Sequence, residues 1–172
     1  NSPADYAPSV VRGMSIGFTT TNGTRALIRS EKADDVLIGA FVNLSVVAER
    51  LRNSELPVHI VCAGTNGQIT GEDVLYAGAL VEQLVGSTAD GFEMTDSAQL
   101  AINHWRQESG DGSSDALEAA LRRSRGGRNL IELGYDCDIA TAAKTDSVPW
   151  IGTLNENRTI TASVGSGPQD NS

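Results

Sequence analysis

Two cysteines in 172 residues, Cys62 and Cys137, are too few for a disulfide framework, and neither has a second cysteine at zinc-ligand spacing. Positive charge is scarce as well: 13 Lys and Arg stand against 22 Asp and Glu, a formal net charge of -9. A protein that grips a polyphosphate backbone needs clustered basic residues, so nucleic acid is excluded as a partner. No apolar run approaches the ~20 residues of a membrane span, and no signal-peptide pattern is present. These shortages predict a cytoplasmic protein without a membrane partner. Familiar phosphotransfer machinery is missing too: the chain has no Walker loop, no Asp-x-Asp at a strand end and no Ser/His/Asp order.

What is present is 40% hydrophobic and 20% charged, enough for one domain with a real core. The domain is expected over residues 1–162, with 163–172 as a disordered tail. Short apolar runs at 14–20, 36–41 and 57–63 carry β-branched residues and read as interior strands of a parallel sheet. Helical patterns lie between them. Residues 24–31 form a short one, and 43–54 place Leu44, Val47, Ala48 and Leu51 on one stripe behind Asn43 as N-cap. The longest, 71–85, presents Val74, Ala77, Gly78, Val81 and Val85, with Gly78 permitting close approach of a neighbour. Further helices are expected over 94–107, from Ser114, over 129–133 and over 136–144, and a hairpin over 147–153 and 157–162. Strand–helix alternation at this spacing predicts a three-layer α/β/α fold with a largely parallel sheet.

Two glycine-bearing turns stand where a strand should pass into a helix. The first is Thr19-Thr-Thr-Asn-Gly-Thr-Arg25 and the second is Cys62-Ala-Gly-Thr-Asn-Gly-Gln68, followed by Ile69-Thr-Gly-Glu-Asp73. A helix N-terminus offers unpaired N–H groups and partial positive charge, glycine lets the backbone approach an anion, and threonine adds hydroxyl donors. Asn22, Gly23, Thr24, Gly64 and Thr65 are therefore candidate contacts to a small anionic ligand. Arg25 sits unfavourably in a first helical turn unless an anion neutralises it. The plainer reading is that Asn22-Gly23 makes a tight turn.

Cys62 begins a Cys-x5 spacing, but Gln68 stands where a cysteine phosphatase needs arginine, so that mechanism fails. Thr70-Gly-Glu-Asp73 fits a capping box, and its two carboxylates also suit the dipole. Glu72 and Asp73 beyond an anion-binding turn are equally where Mg²⁺ would sit, completed by substrate oxygens and water. The basic stretch Arg122 to Arg128 reads as a loop that is either a solvated face or a support for a sulfonate or phosphate.

The ordered blocks Asn1-Ser-Pro, Thr19-Thr-Thr-Asn-Gly-Thr-Arg-Ala-Leu27, Phe41-Val-Asn-Leu-Ser-Val-Val-Ala48, Cys62-Ala-Gly-Thr65, Glu72-Asp-Val-Leu-Tyr-Ala-Gly78 and Leu130-Ile-Glu-Leu-Gly-Tyr135 together resemble the 2-phosphosulfolactate phosphatase (ComB) family. The resemblance implies a Mg²⁺-dependent phosphoric monoester hydrolase of α/β/α fold. It would release phosphate from 2-phosphosulfolactate on the route to coenzyme M, or from a related phosphorylated hydroxy acid. Two departures bear on this. The family's preceding Asp-Val-Leu-Arg-Ala-Thr block and acidic Gly-Glu-Arg region are absent, so the chain is expected to be the C-terminal portion of a longer polypeptide. Ala142-Ala143 stands where family members carry a cysteine.

On this reading Asn22, Gly23, Thr24 and Arg25 hold one anionic group, Cys62, Gly64 and Thr65 line the seat of the second, and Glu72 or Asp73 engages Mg²⁺. The attacking group is either water or a side chain from the absent segment. The rival expectation is a non-catalytic anion-binding or homo-oligomerising domain, in which both turns serve only geometry.

Overall fold

Fifteen residues without proline or a charged middle make the stretch Gly71–Val85 the strongest helix of the chain, and the rest of the structure is arranged around it. The computed structural model describes residues 2–86, 93–109 and 113–164. In chain order the elements are α1 (Pro8–Val11), α2 (Gly23–Ser30), β1 (Leu37–Ile38), α3 (Leu44–Arg52), α4 (Gly71–Val85), α5 (Asp96–Glu108), α6 (Ser114–Arg123), α7 (Arg125–Glu132), α8 (Asp136–Ala142), β2 (Trp150–Leu154) and β3 (Ile160–Val164).

Helix α4 is covered on more than one side, so its buried residues include Leu75, Ala79, Leu80 and Leu84 as well as the expected Ala77, Gly78, Val81 and Val85. Val74 is only half-buried. The larger core joins Phe41, Leu44, Val47, Leu75, Leu80, Leu117, Leu121, Ile139 and Ile151; a second, smaller cluster holds Val81, Val85 and Ile102. Gly78 has the role its position suggests. A Cβ there would lie 2.1 Å from the Ala101 carbonyl oxygen, because α5 crosses α4 at that point. Among the described residues no helix is long and apolar enough to cross a membrane.

The expected parallel α/β/α sandwich is overturned. The molecule is mostly helical, with one three-stranded sheet in the order β1-β2-β3, antiparallel throughout. The runs at 14–20 and 57–63 form no strand, and of 36–41 only Leu37 and Ile38 pair. Met14, Ile16, Phe18, Val58 and Val61 are exposed. The physical reason is that strand preference is realised only against a paired neighbour. Here helices packed around α4 take up most of the buried apolar surface, and among the described residues no strand pairs with the two longer runs.

Several boundaries also move. The hairpin lies three residues later at its start, with Leu154 opposite Ile160, and β3 runs to Val164, two residues into the expected tail. The remainder of that tail, 165–172, lies outside the described residues, as do 110–112 of the expected break before Ser114. The basic stretch is not a loop: Arg122 and Arg123 end α6, Ser124 accepts a hydrogen bond from Gly127 N–H at 3.0 Å, and Arg125 opens α7.

Asn43 does not cap α3 with its side chain. It is buried instead, accepting from Ala40 N–H at 2.8 Å and donating to the carbonyls of Ile38 and Trp150, each at 3.0 Å. One amide thereby ties β1 and β2 to the start of α3, which satisfies backbone groups that the short sheet leaves over.

Candidate functional site

The second turn is built by its own residues. Thr65 N–H donates to the Gln68 carbonyl at 3.0 Å and Gln68 N–H returns to Thr65 at 3.1 Å. Between them Asn66 (φ 53) and Gly67 (φ 76) are both left-handed, the two-residue turn that Asn-Gly favours. Gly64 is left-handed too, at φ 62, and a Cβ there would meet the Gln68 carbonyl oxygen at 2.4 Å. No other residue fits that position without moving backbone.

Asp73 closes this turn onto α4. Its Oδ2 accepts from Gly64 N–H at 2.6 Å and from the Thr70 hydroxyl at 3.0 Å. The reciprocal capping box expected at Thr70 is therefore not made. Thr70 accepts nothing from the helix, and Asp73 binds the Thr70 hydroxyl and the Gly64 amide across the turn rather than the Thr70 backbone N–H. The Cys62 thiol donates to the Asp73 carbonyl at 3.6 Å. Burial, and then the Asp73 charge, push the thiol pKa up, which leaves it poor in thiolate.

The first turn is held by threonines. Thr20 N–H donates to Thr24 Oγ1 at 3.0 Å and Thr24 N–H to Thr20 Oγ1 at 3.3 Å, a side-chain exchange at the start of α2. Asn22 occupies the cap position without capping. Its Oδ1 instead accepts from Asn66 N–H at 3.3 Å, so the two turns touch. Arg25, in the first turn of α2, is exposed and forms no hydrogen bond or ion pair among the described residues.

Glu72 turns away from this junction. Its carboxylate lies against Gly126 in the first turn of α7, where a Cβ would sit 2.4 Å from Oε1, and Oε2 is buried without a hydrogen-bond partner. Beside it Arg125 donates to the Gln68 side chain at 2.6 Å. The structure thus places Asn22, Cys62, Gly64, Thr65 and Asp73 around one junction. Glu72 is on its far flank, Gly23 and Thr24 hold the α2 side, and Arg25 stands apart from any bond.

Asn66, Gln68, Arg125 and Gly126 complete the junction without having been singled out as contacts. The basic stretch was the only signal for the last two. Among the described residues no three of His, Cys, Asp or Glu cluster as a metal site. One hard oxygen of the kind Mg²⁺ takes, Glu72 Oε2, is buried without a hydrogen-bond partner among the described residues. Two surface grooves, of about 330 and 540 Å³, lie elsewhere: one between α3 and the hairpin, the other beside Arg52, Glu82 and Trp105.

The family profile for 2-phosphosulpholactate phosphatase matches residues 1–157. A protein of Caldanaerobacter subterraneus subsp. tengcongensis named "Probable 2-phosphosulfolactate phosphatase" is 38% identical over 152 residues, 87% of this chain and 60% of that protein. Proteins of the same name from Symbiobacterium thermophilum and Thermotoga petrophila are 34% and 32% identical. They cover 93% and 90% of this chain, and 66% and 63% of their own lengths. The chain spans about three-fifths of the length of these relatives. It belongs to the 2-phosphosulpholactate phosphatase family.

Proposed function

We propose that this member of the family serves in Mg²⁺-dependent hydrolysis of 2-phosphosulfolactate to sulfolactate and phosphate. The observation that carries the reading is the Asn66 N–H to Asn22 Oδ1 contact, which brings both glycine-bearing turns to one place. A ligand with two anionic groups can then be held by both. Asn22, Gly23, Thr24 and Arg25 hold one group through amide, hydroxyl and guanidinium donors. Cys62, Gly64 and Thr65 line the seat of the other.

The Gly64 amide already donates to a carboxylate, that of Asp73. A substrate oxygen takes that seat by competing with Asp73, so the amide is tuned for an anionic oxygen in either state. Glu72 or Asp73 would hold the cation, which when bound neutralises phosphoryl charge and lowers the pKa of a coordinated water. Arg25 supplies fixed positive charge, and its exposure without a partner suits a residue awaiting an anion.

The exposed apolar runs around Ile16 and Val61 support a further part of the proposal, that this region works together with the two-fifths of the relatives' length it does not match. The exposed, unpaired thiols of Cys62 and Cys137 support a reducing, cytoplasmic setting. A second reading, an anion-binding or oligomerising domain without catalysis, is favoured by one observation: Asp73 Oδ2 is fully engaged in bracing the turn.

Phosphate release from 2-phosphosulfolactate by the full-length polypeptide separates the two. Arg25→Ala and Glu72→Gln should each remove Mg²⁺-dependent release while leaving thermal stability close to that of the unaltered protein. Retained turnover in both variants would contradict the catalytic reading.

A further inference from the structure

One edge of the sheet is a strand left open. Among the described residues β3 pairs only with β2, and all five of its residues, Ile160–Val164, are exposed. The opposite edge, β1, is two residues long. Open edge strands are usually protected by lysine, proline or a bulge. β3 has none of these: Ile160-Thr-Ala-Ser-Val164 carries no charge, and its register runs unbroken from Leu154 opposite Ile160 to Trp150 opposite Val164.

The hairpin fixes which backbone groups are free. Asn155 N–H donates to the Thr159 carbonyl at 2.8 Å and Leu154 N–H to the Val36 carbonyl at 3.0 Å, so odd-numbered residues here turn their backbone towards β3 and even-numbered ones towards β1. Pairs in an antiparallel ladder alternate. Thr161 and Ser163 are therefore bonded to β2, while Ile160, Ala162 and Val164 turn N–H and C=O to the open edge. The outer face beside that edge is apolar. Ile160 and Ile38 lie over Gly152, 3.2 and 3.3 Å from where its Cβ would be, and Trp150 and Val164 are exposed.

Outward from Ala162 the strand is chemically alike in both directions, a hydroxyl residue and then a β-branched apolar one. A second copy laid antiparallel about that residue sets Ile160 against Val164, Thr161 against Ser163 and Ala162 against itself, pairs that sheets favour. The edge is also where a chain of net charge -9 meets its own copy with least repulsion. The charged residue nearest in sequence, Arg158, is already held by Glu31 at 3.0 Å.

We propose that β3 joins two copies of this chain edge to edge, forming one continuous antiparallel sheet about a two-fold axis at Ala162. A self-complementary edge closes on itself, so assembly stops at the dimer. One pair of five-residue strands buries less than the ~800 Å² per partner of a standard stable interface, so the dimer exchanges with monomer. β3 lies beyond residues 1–157, which match the family, and outside the two-turn junction, so the inference stands under either functional reading.

Sedimentation of the full-length polypeptide over roughly 1 µM to 1 mM is the test. The mean mass should climb towards twice the monomer's, and more steeply in high salt, which screens the repulsion and leaves the uncharged edge as it is. Ala162→Lys and Ala162→Glu set like charges opposite one another; each should stay monomeric while melting, in dilute solution, as the unaltered protein does. An equimolar mixture of the two should recover the dimer. A short thiol-to-thiol cross-linker should join two copies of Ala162→Cys well above the background from Cys62 and Cys137. A mass that stays monomeric, dimers that survive in both charged variants, or a mixture that does not recover would each overturn the proposal. So would an Ala162→Cys thiol shielded from alkylation in the monomer, which would mean that another part of the polypeptide covers the edge.

Discussion

The backbone N–H of Gly64 donates to Asp73 Oδ2 at 2.6 Å, joining the second glycine-bearing turn to the helix that follows it. A carboxylate thus occupies the place that an anionic substrate oxygen is proposed to take. Asp73→Asn removes that competing charge and leaves an oxygen that still accepts from Gly64 and Thr70. Affinity for sulfolactate should rise severalfold while phosphate release by the full-length polypeptide falls. Binding by calorimetry set beside turnover reads the split; weaker binding together with lost turnover would contradict the competition.

Asp73→Ala goes further, because two donors lose one charged acceptor. A destabilisation of about 1–3 kcal/mol is expected in urea unfolding. A loss below a few tenths would show that the brace contributes nothing.

Gly78→Ala should destabilise although alanine is the better helix former by ~1 kcal/mol. The added Cβ falls 2.1 Å from the Ala101 carbonyl oxygen and 2.6 Å from Trp105 Cβ, so α5 must move off α4. The net loss in denaturant unfolding is expected at about 1–3 kcal/mol. Gain of stability would mean that the helices do not cross there.

The Tyr76 hydroxyl is buried without a partner, and burial, then the charge of Asp146, raise its pKa well above the ordinary 10. A raised folded-state pKa means that the unfolded chain releases the proton first. The stability tied to the neutral phenol is therefore complete below pH 10 and is lost as pH rises through the folded value. Tyr76→Phe should be close to neutral at pH 7 and should flatten that alkaline loss, as followed by thermal melts from pH 8 to 11. An unchanged alkaline slope would contradict the assignment to Tyr76.

Cys62, with its thiol pKa raised by burial and by Asp73, should alkylate with iodoacetamide at pH 8 more slowly than an unhindered model thiol. Asp73→Asn should speed the reaction. Mass spectrometry of the Cys62 peptide over time checks both.

Helices were legible where their signals are local. The stripe Leu44, Val47 and Ala48, the crossing at Gly78 and the turn at Asn66-Gly67 all follow from residues a few positions apart. Of the sheet only the terminal hairpin was legible, because its two strands are close in the chain, whereas the pairing of β1 with β2 joins distant segments. Ile16 and Val61 carry a strand's composition yet lie exposed, with no strand paired to them among the described residues. The same limit hid Asn43, whose side chain reads as a cap until Trp150 is brought to it from 107 positions away. At the site, the sequence singled out both turns and the acidic pair. Glu72 and Asp73 are neighbours in the chain and in the first turn of one helix, but they serve opposite flanks, and only the packing of α7 decides that.

The proposed function requires two turns sharing one anionic ligand, and amide NMR of this chain titrated with sulfolactate tests that most directly. Signals of Gly23 and Thr24 and those of Gly64 and Thr65 should move together and saturate at one common ligand concentration. Movement confined to a single turn, or two separate saturation points, would contradict a shared site.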